Sequence, residues 1–508
     1  MSDTEVLIVG AGPTGLVLAL FLTQAGVKPR IIEKNSGPGQ ASRAMVVQSR
    51  TLEFYRQLGF ADEVVRRGIP MDAAHLWEGG REITQIKLGE IGQGLSPYPF
   101  VLSFPQDDHE RLLGEQLTAA GVEIEWETEL VEFHDTGDQV RAILRRGGAE
   151  EECVARYLCG CDGAHSAVRQ GLGVGFPGGT YEQVFYVADV EALSGGADGH
   201  EFNFCLGANT LGLVFPIRST GMNRLIGIVP STLAGRTDLT FEDIRPSVEE
   251  LVGIRVGAVN WFSTYHVHHR VAEHFRVGRA FLAGDAGHIH SPAGGQGMNT
   301  GIGDAVNLAW KLAAVLQNRA AESVLGAYEP ERIAFARSLV ATTDRVFQLG
   351  VGQGAGNQVL REWIIPHLAP FLLGFSRMRE GAYRLVSQTR LHYPESPLSH
   401  GSAGDIHGGD RLPWVPGNNG SDNFTPLKSL DWQVHIYGEA TQALREAAQS
   451  ANLPLHSFPW TDHAADAGLK QGALYLVRPD GYVALADAHQ DAKALGDYIA
   501  RFRITTRA

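Results

Sequence analysis

Val6-Leu7-Ile8-Val9-Gly10-Ala11-Gly12-Pro13-Thr14-Gly15, followed by an acid at Glu33, is the stretch on which the fold turns. Glu5 to Val9 is short, apolar and β-branched, as a buried strand is. A helix is expected from about Thr14 to Ala25, with Leu16, Ala19 and Leu20 on one face, and Lys28 to Glu33 reads as the next strand. Strand, glycine loop, helix and strand make a βαβ unit, which implies a parallel sheet. Gly10, Gly12 and Gly15 let the backbone turn tightly and approach a pyrophosphate. Pro13 and Thr14 open a helix whose free N–H groups and positive dipole end favour that anion. Glu33, followed by Lys34, suits the two hydroxyls of an adenosine ribose. The loop points to a dinucleotide and, taken alone, leaves NAD and FAD both open.

Two later loops repeat the pairing of glycine with an acid. Cys161-Asp162-Gly163 follows an apolar strand from Ala155 to Cys159, and Gly284-Asp285 follows another from Ala280 to Ala283. Asp285 at a strand end can accept a hydrogen bond from a ribityl hydroxyl, which NAD lacks. The run Pro292 to Asn299, with Gly294, Gly295 and Gly297, then makes a second glycine turn onto a helix beginning near Met298. Backbone N–H groups there would face a flavin pyrimidine edge and stabilise the negative charge of the reduced ring. Ligand groups sit at the ends of parallel strands. Three strand tips, far apart in sequence, are therefore expected at one crevice, and the cofactor they fit is FAD.

With 508 residues the chain is too long for one core, and two or three domains are expected. A hydrophobic share of 44% and a charged share of 20% belong to a globular protein. The net charge of −14 argues against nucleic acid or an anionic membrane as main partner. No apolar run reaches transmembrane length, the N-terminus lacks a basic leader, and the cysteines (Cys153, Cys159, Cys161, Cys205) make no CxxC pair. A reducing, cytoplasmic location fits. Residues Met71 to Phe104 and Tyr181 to His268 are β-rich and read as a second domain interleaved with the first. Gly303 to Leu316 is an amphipathic helix, and helices are expected to continue to about Ser387. Tyr393 to Asn423 is rich in Pro, Gly and Ser and reads as a linker. Beyond it a compact α/β segment is expected, with strand Trp432 to Tyr437, helix Ala440 to Ala451 and strand Ala473 to Arg478.

The three loops together resemble the class A flavoprotein monooxygenases, the p-hydroxybenzoate hydroxylase family. The matching runs are Val9 to Gly15, Cys161 to Arg169, Gly278 to His288, and Pro292 to Gly301 with its extension Asp304 to Leu312. The similarity is nearly continuous from Thr4 to about Arg345 and strongest toward the hydroxylases of aromatic polyketides and antibiotics. One departure is Gly287, where the family usually has alanine. The resemblance implies an α/β fold with a Rossmann-like FAD-binding domain of the glutathione-reductase type (1–70, 105–175 and 270–392, with a helical extension). It further implies an interleaved β-sheet substrate domain (71–104 and 176–269) and a C-terminal thioredoxin-like α/β domain (393–508). The absence of cysteine from that last segment excludes a dithiol role.

By the same resemblance, Arg43 in Ser42-Arg43-Ala44 would contact FAD near the isoalloxazine, and Gln106 would bind the cofactor. Asp162 would serve both FAD and NAD(P)H, and Pro292 would sit beside the reacting flavin face. The implied activity is hydroxylation of a phenolic or polycyclic aromatic substrate through a flavin C4a-hydroperoxide, consuming O2 and NADPH or NADH. The substrate should lie between the β domain and the flavin among apolar and aromatic side chains. Trp77, Phe204 and Phe215 are candidates, with His75 and Tyr98 in the same region. A flavoprotein oxidase or dehydrogenase on this fold, or a non-catalytic flavin-loaded binding protein, are the rival readings. No metal is expected: His266 and His268 share a strand face but have no third ligand nearby. A monomer or homodimer is expected.

Overall fold

The computed structural model describes residues 3–39, 44–89, 91–197, 199–207, 210–291, 295–351, 376–417 and 420–507. The opening βαβ unit forms as expected, with strands Thr4–Val9 and Pro29–Ile32 joined by the helix Pro13–Gln24. Thr4–Val9 runs parallel to Pro29–Ile32 on one side and to Ala149–Gly160 on the other. Ala149–Gly160 is in turn parallel to Ala280–Leu282. Helices cover this sheet, so its strands are apolar on both faces, and Val6, Leu7 and Ile8 are wholly buried. The Pro13 helix has more than the single apolar face expected of it. Every residue from Gly15 to Leu22 is buried, because it lies against the Gly297–Leu316 and Gln106–Ala119 helices as well as the sheet.

The second sheet has eight strands. Their order is His288–Ile289, Arg255–Val271, Gly178–Ser194, Asn223–Ile228, Leu211–Pro216, Glu201–Leu206, Ala73–Glu78 and Arg81–Lys87. Only the pairing of Glu201–Leu206 with Ala73–Glu78 is parallel. One face packs on the helix Phe241–Val252 through Val184, Tyr186, Ala188, Cys205 and Val214. The other presents Val187, Phe215, Ile217 and Ile226 to Met45 of the first domain. Strand alternation makes this division: neighbouring residues belong to opposite faces.

The C-terminal unit contains a third, six-stranded sheet. Gln433–Tyr437, the helix Gln442–Ser450 and Leu455–Phe458 form a parallel βαβ unit. An antiparallel pair, Leu474–Val477 with Val483–Asp487, follows, then the helix Ala492–Phe502. Part of the segment 393–423, expected to be a linker, belongs to this sheet instead. His400–Ala403 pairs with Val483–Asp487 and with Ile406–His407. Its glycines are there for tight turns: Gly401, Gly404 and Gly409 all have positive φ.

Candidate cofactor site

The register of the first sheet aligns the three loops. Val9 lies opposite Gly160, and Gly160 opposite Leu282. The ladder runs past the strand ends: Cys161 N donates to Val9 O at 2.8 Å, and Ala283 N to Gly160 O at 3.0 Å. Gly10, Asp162 and Gly284 therefore stand in a row. Contact between the loops forces glycine at two of these places. Gly10 has φ +104°, and a side chain there would meet Asp162 Cα at 2.9 Å. Gly284 has φ +62°, and its side chain would meet Thr14 Oγ1 at 2.5 Å. Gly12 is different. It caps the Pro13 helix with no side-chain hydrogen bond, and nothing lies within 4 Å of the place its side chain would fill. The space beside Gly12 at the N-terminus of this helix is thus open, as an anion site there requires.

The acids at these tips have different surroundings. Asp162 accepts Val168 N–H at Oδ2 over 3.1 Å. Its Oδ1 is buried without a hydrogen-bond partner among the described residues, and burial pushes its carboxyl pKa up. A buried oxygen in that position fits a ligand donor. Asp285 is exposed, between buried Gly284 and Ala286. Glu33 Oε2 accepts Ala11 N–H at 2.9 Å, and its Oε1 accepts from Asn35 N at 3.0 Å, so the carboxylate is fixed to the first glycine loop. Lys34 is exposed. These observations fit a dinucleotide laid across the tips, with its pyrophosphate at Gly12.

Of the groups beneath the loops, Gln106 was expected as a cofactor contact and Glu110 was not. Gln106 begins the Gln106–Ala119 helix; its Oε1 accepts Ala44 N–H at 3.4 Å and its Nε2 donates to Glu110 Oε1 at 2.8 Å. Glu110 Oε2 accepts Gly39 N–H at 3.1 Å, and burial pushes the Glu110 pKa up. One helical turn thereby holds both ends of the 39–44 segment. Arg43 within that segment, and Pro292, lie outside the described residues.

The Gly297–Leu316 helix begins at the second glycine turn, with Gly297 and Met298 partly exposed and Asn299 buried. Asn299 was expected among the cofactor contacts, but its side chain is committed within the protein. Its Oδ1 accepts from Gln48 N (2.9 Å) and Thr51 Oγ1 (2.8 Å), and its Nδ2 donates to Val46 O and Gly295 O, both at 2.9 Å. What it leaves for a ligand is backbone. One turn on, Asp304 Oδ2 accepts Gly284 N–H at 3.0 Å and meets His288 Nε2 at 2.7 Å. Arg332 Nε donates to Asp304 Oδ1 at 2.6 Å. Burial would raise the Asp304 pKa, but the Arg332 guanidinium and His288 hold it below the ordinary carboxylate range. The signal for Asp304 was its place in the Asp304–Leu312 run. Arg332 gave none.

The aromatic candidates divide by sheet face. Phe215 stacks on Phe202 at 4.7 Å and packs beside Met45 and Ile226. Phe204 has the parity of Phe202 and pairs with Leu213, so it lies on this same face toward the cofactor domain. His75 and Trp77 do not join them, which corrects their selection as substrate contacts. Trp77 Nε1 donates to Asn203 Oδ1 at 3.1 Å and the ring packs in the layer of the Phe241 helix. His75 sits between Glu82 and Glu201 at 2.9 and 2.7 Å. Both are at odd positions of a strand whose even positions face the cofactor domain. Tyr98 is buried in the first domain's core, where its carbonyl accepts Tyr383 OH at 3.0 Å.

A family model described as an FAD binding domain matches residues 3–343. The chain belongs to this FAD-binding family. Among its relatives, 6-methylpretetramide 4-monooxygenase of Streptomyces rimosus is 34% identical, over 94% of this chain and 90% of its own length. A flavin-dependent monooxygenase of Mycobacteroides abscessus is 30% identical over 98% and 99%. Among solved structures, a ternary complex of aklavinone-11 hydroxylase with FAD and aklavinone superposes with a TM-score of 0.80 at 25% identity, covering 99% of each chain. The flavoprotein is thus an FAD-dependent monooxygenase, and the row of strand tips is its candidate cofactor site. No helix among the described residues is long and apolar enough to cross a membrane.

Proposed function

We propose that this flavoprotein hydroxylates a phenolic or polycyclic aromatic compound, with NADPH or NADH as reductant. The observation that carries this reading is the apolar sheet face, with Phe204 and Phe215, turned toward the domain whose strand tips grip the cofactor. A flat ring held between them is oriented chiefly by apolar contact, beside the Arg224–Asp189 ion pair that stands on the same face opposite Phe215. Bound FAD supplies the redox chemistry that activates dioxygen. In sum, ArH, O2, NAD(P)H and a proton give ArOH, NAD(P)+ and water.

The chain's own residues have three tasks. The uncapped first turn behind Gly12 holds the pyrophosphate, and Asp162 and Asp285 accept ligand hydroxyls. The N-terminal turn of the Gly297 helix, with Gly295 and Met298, would hold the ring through backbone N–H groups, and its dipole would favour a reduced, anionic ring. The sheet face excludes water from the reacting carbon. Substrate names printed for the relatives (a pretetramide, aklavinone) favour a polycyclic ring.

The organisation that goes with this reading is a cofactor domain (1–70, 105–175, 270–392), a substrate domain (71–104, 176–269), whose Tyr98, Leu102 and Phe104 pack into the cofactor domain's core, and a thioredoxin-like unit (393–508). A βαβ unit followed by an antiparallel pair and a helix supports the last assignment. The test is a panel of polycyclic and simple phenols, scored for stimulated NAD(P)H oxidation and for product mass under 18O2. Stimulation with one labelled oxygen in the product is expected. Stimulation that yields only hydrogen peroxide, with unlabelled product across the panel, would sink the reading.

A further inference from the structure

Arg478-Pro479-Asp480-Gly481 ends a strand of the C-terminal unit and is buried, charges included, against the cofactor domain. Side-chain exposure is 0% for Arg478 and 1% for Asp480, and 0% for their neighbours Lys311 and Glu331. We infer that this turn is a positioning element of the flavin site: it fixes the Gly297 helix and the Gly284 turn, so that the C-terminal unit sets the affinity and redox state of the bound flavin. The inference rests on the assignment of the Gly284-Asp285 loop and the Gly297 helix to the flavin.

The connection is continuous. Asp480 Oδ2 accepts Trp310 Nε1–H at 3.0 Å and Arg478 NH2 at 2.6 Å. Arg478 donates to both oxygens of Glu331, at 2.8 and 3.1 Å. Glu331 also accepts Lys311 Nζ and Asn307 Nδ2, each at 2.7 Å. Trp310, Lys311 and Asn307 all belong to the Gly297 helix. The residue after Glu331 continues the path. Arg332 donates to Asp304 Oδ1 at 2.6 Å and to Thr300 O at 3.1 Å, and Asp304 holds Gly284 N–H. Two consecutive side chains of one helix thus face two ways, Glu331 to the C-terminal turn and Arg332 to the flavin turn. From the other side, Arg50 NH2 donates to Asp480 O at 2.6 Å and Gln57 Nε2 to Pro479 O at 3.0 Å.

Packing repeats the arrangement. Ala305, Leu308 and Leu312 of the Gly297 helix lie in the core of the cofactor domain. Trp310 and Ala314 of the same helix lie in a core with Trp432 and Val434 of the C-terminal unit. The helix is held on opposite sides by two domains, so its rotation and rise are set jointly. Buried ion pairs are a costly way to dock two surfaces compared with apolar contact. What they add is a single geometry, since a shifted helix would leave charges unpaired in a dry interior.

The test uses the full-length holoenzyme and three variants, Asp480→Asn, Arg478→Met and Trp310→Phe. The last keeps an aromatic ring while removing the N–H donor and part of the indole's volume, leaves every buried charge in place, and guards against failure to fold. FAD dissociation constants are read by flavin fluorescence, midpoint potentials by spectroelectrochemistry, and fold integrity by circular dichroism of the apoprotein. Folded variants should bind FAD about tenfold more weakly, as loss of a buried charged hydrogen bond implies, with a displaced midpoint potential. Asp480→Glu should recover part of both. Variants that are folded yet keep the wild-type dissociation constant and potential would overturn the inference. If wild type itself bound no FAD, the flavin assignment would fall instead.

Discussion

Two aspartates at neighbouring strand tips carry different burdens. Asp162 is half-buried with an enclosed Oδ1 that has no partner among the described residues, and burial raises its pKa; Asp285 is exposed at the end of the same row. If Asp285 holds a ribityl hydroxyl, Asp285→Ala should weaken FAD binding by roughly 10- to 100-fold, the worth of a hydrogen bond to a charged group. Titration of apoprotein with FAD measures this, and an unchanged dissociation constant would contradict the role. These acids were legible in the sequence because each stands beside a glycine at a strand end. Glu110 and Arg332 were not, and Asp304 was marked only by its place in the Asp304–Leu312 run. Glu110 reaches Gly39 across 71 positions and Arg332 reaches Asp304 across 28. Nothing in a local window distinguishes such residues from ordinary surface charge.

At the scale of elements, alternation told strands from helices but not which face meets which neighbour. Phe204 and Trp77 are both aromatic residues on adjacent, parallel strands, yet they lie on opposite faces, since Trp77 pairs in register with Cys205. Register is a tertiary fact, so the face that each aromatic residue occupies could not be read from its own strand. The glycines of the segment 393–423 carried the same ambiguity between loose linker and tight turn. The start of the Gly297 helix was clear from its glycine turn, but the work of Asn299 was hidden. Three of its four hydrogen bonds tie the 46–51 segment to the first helical turn, and the fourth reaches back to Gly295. Asn299→Ala removes the acceptor of Gln48 N–H and Thr51 Oγ1 and the donor to Val46 C=O and Gly295 C=O, and should cost roughly 2–4 kcal/mol of stability. Urea unfolding measures it; a loss below about 1 kcal/mol, inside the range of ordinary surface changes, would mean that the neighbours re-pair without it.

Across the whole molecule, the cores of the cofactor domain and the C-terminal unit each bury a neutral histidine. His109 lies wholly inside the first domain against Tyr55 OH, and burial pushes its pKa down to about 3. His435 lies inside the C-terminal sheet against Gln433 Oε1, and burial lowers it likewise to about 3. An unfolded histidine titrates near 6.5. Below that pH the unfolded chain takes up protons that the folded chain refuses, so stability falls as pH falls from about 6.5 toward 3. Each group contributes about 1.4 kcal/mol per pH unit across that window, or about 2 kcal/mol by pH 5. Because the Gly297 helix belongs to both cores, protonation in either domain should weaken the flavin site between them. Acid should therefore release FAD and unfold the chain in one transition rather than two. Flavin fluorescence and circular dichroism, followed together from pH 7 to pH 4, would report coincident midpoints. Release of FAD well before any loss of secondary structure, or stability that stays level between pH 6.5 and 5, would show that the two domains titrate independently or that these histidines find water when charged.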